Sequence, residues 1–249
     1  MSPARKPAPT LDVERDLART GARYVAGMDE VGRGALAGPA SVGVVVMDMA
    51  RWVPGGEAGS SPSSSASESS TGSGVPVSEP WHGVRDSKAL SAARRTALAP
   101  TIASWAAGSA VGHAQPAEID AVGINAALHL AGLRALGAVR AAGTPVDALV
   151  LDGSYNWLDV APVLGQDEDP VELPPLVRTL VRADALCVSV AAASILAKVE
   201  RDALMAQLAH EHPEYGWDGN KGYGSASHRD ALQRFGVTPQ HRRSWNLGV

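Results

Sequence analysis

Residues 24–47 read YVAGMDEVGRGALAGPASVGVVVM, two apolar runs separated by a pair of acids and a glycine-rich stretch. The first run, Tyr24 to Met28, and the second, Ser41 to Met47, are rich in small and β-branched residues. The second is nearly continuous, which predicts a strand buried on both faces. Asp29 and Glu30 close the first run directly before Gly32-Arg33-Gly34. Adjacent acids repel each other, and glycines beside them give the chain little to hold them with, so the placement asks for a compensating charge.

The same arrangement recurs downstream. VDALVLDGS (146–154) is an apolar strand ending at Asp152 in an Asp-Gly turn, and LVRTLVRADALCVSV (176–190) contains one or two short strands around Asp184. Helical patterns alternate with these runs. Ser91 caps a short helix through Pro100, followed by a strand within Ile102–His113. One long helix is predicted from Glu118 to Ala142, with Ile119, Val122, Leu128, Leu133, Leu136 and Val139 setting its period and Pro145 stopping it. Another covers 191–213, with Ile195, Leu196, Val199, Leu204 and Leu208 on one side. Gly216, Gly219, Gly222 and Gly224 mark a loop before the short amphipathic helix of HRDALQRFG. Strands alternating with helices indicate an α/β layer architecture.

Pro54–Pro80 interrupts this pattern with ten Ser, five Gly and four Pro among 27 residues. Such a stretch has almost nothing to bury and cannot offset its ordering entropy, so a disordered, dispensable insertion is expected. The apolar pattern resumes at once beyond it. The expected organisation is a flexible lead over 1–21, a main unit over 22–205 carrying the insertion, and a C-terminal helical segment over 206–249.

Of the 249 residues 45% are apolar, which suits a soluble globular chain. No apolar run approaches the roughly 18 residues a membrane span needs. The polar opening MSPARKPAPTLDVERDL lacks the apolar core of a signal peptide, so a cytosolic location is expected. A single cysteine, Cys187, agrees with a reducing compartment and excludes an internal disulfide; in ALCVSV it reads as a small core residue. The net charge of −4 announces no nucleic-acid binder. From Gly219 onward, however, Lys221, Arg229, Arg234, Arg242 and Arg243 face Asp230 alone. That basic end suits a phosphate backbone or, equally, a solvated helix.

Acids at the carboxyl ends of strands lie where α/β sheets collect their ligands. Asp29, Glu30, Asp152 and Asp184 brought together there would require a cation. With no cysteine pair and no H-x-x-x-H spacing, an all-oxygen site for Mg²⁺ or Mn²⁺ fits the donor set. Two such ions about 3.5–4 Å apart can clamp the attacking and leaving oxygens of a phosphodiester. Singly the acids are less specific: Asp before Gly is a common turn residue, and Asp near a helix entrance often caps it. Spacing alone reaches metal-dependent phosphotransfer and no further.

Taken together, GMDEVGRGALAGP (27–39), RDSKALS (85–91), LDGS (151–154), ADALCVSVAAASILAKVERD (183–202), NKGYGSASH (220–228) and TPQHRRSW (238–245) resemble the ribonuclease HII family over roughly residues 22–247, apart from the insertion. The order of these blocks makes the resemblance specific. It implies a ribonuclease H-like mixed central sheet flanked by helices, with a small C-terminal helical segment. It also implies a metal-dependent endoribonuclease acting on RNA–DNA hybrids and on duplex DNA with embedded ribonucleotides, cutting on the 5′ side to leave 3′-OH and 5′-phosphate.

The family's metal-binding acids fall on Asp29, Glu30, Asp152 and Asp184. Its ribose-sensing backbone falls on Gly32, Arg33 and Gly34, where missing side chains let peptide groups approach the 2′-OH. By the same resemblance Tyr223 stacks on the neighbouring sugar, and Ser87, Lys88, Arg242 and Arg243 are phosphate contacts. His228 and His241 read as phosphate contacts or helix-end partners rather than catalysts. Ala35, Ser225, Trp245 and Asn220 depart from the usual family residues; none touches the acids, and Asn220 leaves substrate contact there open. Only some twenty residues precede the first strand, which sets aside the related ribonuclease HIII with its extra N-terminal domain. A monomer is expected. A junction resolvase on the same sheet and a non-catalytic hybrid-binding protein are the rival readings; the second would be expected to have lost an acid, and all four are present.

Overall fold

The computed structural model describes residues 7–52, 79–159 and 171–249. Nearly all of the insertion read at 54–80 and most of the acidic loop read at 161–175 lie outside the described residues. Strands β1 (Tyr24–Val31), β2 (Ala40–Asp48), β3 (Gly108–Ala114), β4 (Ala148–Asp152) and β5 (Leu176–Leu180) form one sheet in the order β3-β2-β1-β4-β5. The β1–β2 and β2–β3 pairs are antiparallel, while β1–β4 and β4–β5 are parallel. A mixed sheet with β1 at its centre results, in agreement with the expected α/β class.

Helices cover both faces. Along β1, Val25 faces one core cluster with Val45, Val150 and Ile195, while Ala26 and Met28 face another with Val44, Leu151 and Leu128, the alternation of a doubly buried strand. The first cluster lies under α6 (Val188–Glu211) and the second under α4 (Ile124–Ala141). Helix α6 sits unusually close to the sheet. A Cβ on Gly27 would stand 2.3 Å from the Ser189 carbonyl carbon and the Val190 nitrogen, and one on Gly43 2.4 Å from the Ala193 oxygen.

Several elements differ from the sequence-based expectation. Helix α1 (Asp12–Arg19) occupies part of the lead expected to be flexible. Leu11 and Leu17 are buried there, and the Glu14 carboxylate accepts from the N–H and hydroxyl of Ser189 at 2.9 and 2.7 Å. Helix α2 (Ala92–Trp105) runs past Pro100, because Ile102 and Trp105 bury on the same side, and the next strand is correspondingly shorter. The predicted 118–142 helix is two, α3 (Pro116–Val122) and α4, parted at Gly123, whose φ of +78° is open to glycine and breaks the helical path. In the second half of α6 the buried ridge is Ala197, Arg201, Met205 and Ala209, an i, i+4 series one step round from the Val199, Leu204, Leu208 side.

Helix α6 continues unbroken through residue 205. Its end shares a third core cluster with Leu36, Ala37, Tyr215, Trp217, Ala231, Leu232 and Leu247, so the C-terminal segment, with α7 (Trp217–Asn220) and α8 (Ala226–Phe235), packs onto the turn after β1. Among the described residues no helix is long and apolar enough to cross a membrane.

Candidate active site

Parallel pairing of Met28 with Leu151 puts the next residues, Asp29 and Asp152, side by side at the carboxyl ends of β1 and β4. Both belong to the strand positions that face α6, with Gly27 and Val150. Asp184 lies on the short helix α5 (Ala183–Leu186), not at a strand end as its sequence suggested, and the Asp152 carboxylate receives the N–H of Ala183 at 2.7 Å. Ser87 and Lys88 come up beside them because the Ser87 N–H donates to Ser194 Oγ on α6 at 3.2 Å. Glu30, one residue on from Asp29, leaves the sheet on the opposite face. There its side chain reaches Arg33 at 3.6 Å, and Arg33 donates to Asn125 at 2.9 Å. Two acids adjacent in sequence are therefore tolerated by the pleat, which turns them apart at a shared strand end.

The electrostatics show that these groups share one region. Burial, then the charges of Glu30, Asp152 and Asp184, push the Asp29 carboxyl well above the ordinary carboxylate range, against the pull of Lys88. Burial and Asp152 raise Glu30 against Arg33, and burial with Asp152 and Asp86 raises Asp184 against Lys88. Burial works against the Lys88 ammonium, but Asp29, Asp184, Asp86 and Asp152 outweigh it and raise it above an ordinary lysine. One lysine does not balance the acids. The four carboxylates are hard oxygen donors with surplus negative charge, and that fits a hard divalent cation. Among the described residues no three Asp, Glu, His or Cys side chains stand together, as placed, so as to hold a metal ion; Glu30 leans on Arg33, and Asp152 spends an oxygen on Ala183.

A pH dependence follows. Between the unfolded and the raised folded value Asp29 holds its proton more tightly in the fold, so stability in metal-free buffer falls as pH rises through the folded value. Measured against Asp29→Asn, in which every other titrating group is shared, the parent's melting temperature in EDTA is expected to stand relatively lower near pH 7 than near pH 5. Millimolar Mg²⁺ is expected to raise it more at pH 7, each kcal/mol appearing as about 2–4 °C in a chain of this length. Melting curves at the two pH values, with and without Mg²⁺, check this; a Mg²⁺ increment independent of pH would refute it.

Known proteins resemble this chain in sequence and in fold. The ribonuclease HII family profile matches residues 80–247, and the ribonuclease HII of Streptomyces avermitilis is 42% identical over 240 residues, covering 95% of this chain and 83% of that one. The chain belongs to the ribonuclease HII family. It is thus an enzyme, a nuclease of the ribonuclease H type. Among solved structures, ribonuclease H2 from Pyrococcus horikoshii superposes with a TM-score of 0.61 at 25% identity, covering 90% of this chain and 94% of that one. Bst-RNase HIII in complex with Mn²⁺ gives 0.63 at 20% identity, covering 90% and 67%, and shows the shared fold.

The remaining residues implied by the family resemblance divide. A Cβ on Gly34 would meet nothing within 4 Å, so this part of the turn is open to a ligand, whereas one on Gly32 would stand 2.1 Å from Arg201 Nε. Tyr223 is exposed, with the Arg201 guanidinium over its ring at 5.5 Å. Arg243 is exposed and anchored by its backbone N–H on Asp120 at 2.9 Å. Arg242 is fully buried, its donors taken by carbonyls of residues 32, 33 and 38, so in this geometry its guanidinium is closed to a phosphate.

His228 and His241 are likewise buried, not set out as phosphate contacts. His241 Nδ1 accepts the Thr238 N–H at 2.9 Å, leaving the proton on Nε2, which faces His228 Nε2 at 3.2 Å. His228 Nδ1 then donates to the Tyr223 carbonyl at 2.9 Å while its Nε2 accepts from Trp217 Nε1 at 3.1 Å. Burial lowers both, His241 to about 4, so the pair stays neutral and braces the Tyr223 backbone. Asn220 staples its own loop, accepting from the Gly222 N–H and donating to the Tyr215 carbonyl. Arg201 is not among the residues the sequence singles out, because an arginine on a helix is ordinarily solvated; its place on the buried i, i+4 ridge of small residues is the available signal.

Proposed function

We propose that the enzyme hydrolyses the RNA strand of RNA–DNA hybrids and nicks duplex DNA on the 5′ side of embedded ribonucleotides, leaving 3′-OH and 5′-phosphate ends. The observation that carries this reading is the grouping of Asp29, Asp152, Asp184 and Lys88 on the α6 side of the sheet, next to a turn whose Gly34 is open to a ligand. Asp29, Glu30, Asp152 and Asp184 would hold Mg²⁺ or Mn²⁺, two ions in the fully loaded site. When bound, such ions lower the pKa of the attacking water and stabilise the leaving oxygen. The Bst-RNase HIII complex with Mn²⁺ supports the choice of a divalent ion.

The chain's own groups account for the rest. Lys88, held cationic by the acids around it, would meet a non-bridging phosphate oxygen, and the Ser87 N–H on Ser194 anchors the segment that carries it. Arg33 and Arg243, both exposed, supply positive charge along the strand. Peptide groups of Gly32, Arg33 and Gly34 read the ribose 2′-OH, and Tyr223 packs on the adjoining sugar.

A paired cleavage assay tests the proposal, with a duplex carrying one ribonucleotide, its all-DNA twin and a full hybrid, each in Mg²⁺, Mn²⁺ and EDTA. Cleavage on the 5′ side of the ribonucleotide and within the hybrid is expected, with the all-DNA twin slower by on the order of 10⁴-fold, as for a site built around one hydroxyl. Equal cleavage of both duplexes would identify a resolvase-like nuclease instead, and binding of the hybrid without cleavage in either metal would identify a binding protein.

A further inference from the structure

We propose that Arg242 is a positioning residue for ribose discrimination: from inside the protein it turns the peptide groups of the Gly32-Arg33-Gly34 turn outward, and Arg201 holds it in place. The inference rests on the reading that this turn senses the 2′-OH.

Both guanidiniums are fully buried and spend their donors on backbone carbonyls. Arg242 donates to the oxygens of Gly32 at 2.6 Å, Arg33 at 2.8 Å and Gly38 at 3.1 and 3.2 Å. Arg201 donates to Pro39 at 2.8 Å, Lys221 at 2.9 Å and Ala37 at 3.2 Å. Both ends of the turn between β1 and β2 are thereby tied to one of two cations, and Arg201 also reaches the loop that presents Tyr223.

The consequence for recognition follows from the peptide bond itself. In a planar trans peptide the carbonyl of one residue and the N–H of the next point in opposite directions. With the Gly32 and Arg33 oxygens drawn inward to Arg242, the N–H groups of Arg33 and Gly34 are directed outward, on the side where Gly34 has open space. A cation on the oxygen also polarises the amide, strengthening its N–H as a donor. Gly32 has a separate duty. At φ +82°, with a Cβ 2.1 Å from Arg201 Nε, only glycine lets Arg201 lie flat against the turn.

A lysine cannot replace this fork, because one ammonium lacks the planar spread that reaches carbonyls on both sides. Arg242 also stacks on Trp245 with its guanidinium carbon 4.9 Å from the ring centre, which fixes the plane of the fork.

The test uses the full chain with Arg242→Gln and Arg242→Lys, folding being verified by circular dichroism and melting. Affinity for the single-ribonucleotide duplex and its all-DNA twin is measured in Ca²⁺, and kcat/KM in Mg²⁺. Both variants are expected to bind the all-DNA duplex within about twofold of the parent, since contacts made directly to phosphates are untouched. Their preference for the ribonucleotide is expected to fall by about 10- to 100-fold, as when other groups that orient a contact residue are removed. The lysine variant, milder for the fold, still carries the positive charge and is expected to lose the preference as well.

Retained preference in a folded variant overturns the inference, and so does an equal loss of affinity for both duplexes, which would make Arg242 a phosphate contact. A parent enzyme with no ribonucleotide preference sinks the underlying reading; a parent with the preference and variants that keep it sink the Arg242 inference alone.

Discussion

Asp29→Asn is expected to lower kcat in Mg²⁺ by at least on the order of 10²-fold, the usual cost of removing one preorganised electrostatic partner of the reaction, while the fold survives. Asp29 combines a central strand, nearly complete burial and the charges of three other acids. Asparagine keeps the volume and one oxygen, so the Asp29 oxygen that receives the Glu30 N–H at 2.8 Å can be replaced by the amide oxygen. What disappears is the negative charge. The same substitution therefore removes a buried, poorly compensated carboxylate, and the variant in EDTA at pH 7 is expected to melt above the parent. The two effects oppose each other, activity down and metal-free stability up, which separates an electrostatic role from a packing role. Turnover near the parent's in Mg²⁺ would remove Asp29 from the mechanism. A lower melting point in EDTA would refute the account of its raised protonation.

The second large effect belongs to Gly27→Val. The added Cβ would sit 2.3 Å from backbone atoms of Ser189 and Val190, and backbone cannot swing aside as a side chain can. Relief requires lifting α6 from β1, and with it the face on which Asp29, Asp152 and Lys88 converge. A cost of about 3 kcal/mol or more, at the upper end of overpacking, is expected, which lowers the melting temperature by roughly 6–12 °C. Gly34→Ala is the contrast. With nothing within 4 Å of the added methyl, its melting temperature is expected to stay within about 2 °C of the parent's, since surface changes are worth about 0.5 kcal/mol. Circular-dichroism melts of the two variants decide it; a Gly27→Val protein as stable as the parent would show that α6 and the sheet are not held at this distance.

Much of the fold and of the site is legible in the order of the residues. The alternation of strands and helices points to the α/β class, because each buried strand is a short apolar run bounded by turn residues. Asp29 and Asp152 stand out as a pair through their position at strand ends. What stays hidden depends on tertiary partners. Pro100 looks like a stop, yet Ile102 and Trp105 beyond it bury and carry the helix on. Gly123 passes as an interior helical residue because its φ of +78° leaves no mark on the apolar period. Asp184 looks strand-terminal, whereas it rides on a four-residue helix entered through Arg182 at φ +61°.

Charged residues mislead most. Arg242 and the two histidines sit in a basic stretch, and composition suggests solvent or phosphate. Their burial comes from carbonyls and rings far away in sequence: Gly32, Gly38 and Trp217. Conversely, Asp29 and Glu30 look like a pair crowding one spot, and only the pleat shows that they leave β1 on opposite faces.

The parallel pairing of β1 with β4 has a consequence for when the enzyme becomes active. Strand β1 ends at Val31 and β4 begins at Ala148, so joining them closes a very long stretch of chain. Such distant pairings form slowly, because loop-closure entropy must be overcome before the contact rewards it. During refolding from denaturant, local helices are expected to appear well before Asp29 meets Asp152. On the proposed reading, a partly folded copy in which Asp29 has not yet met Asp152 lacks the metal site and is expected not to cut.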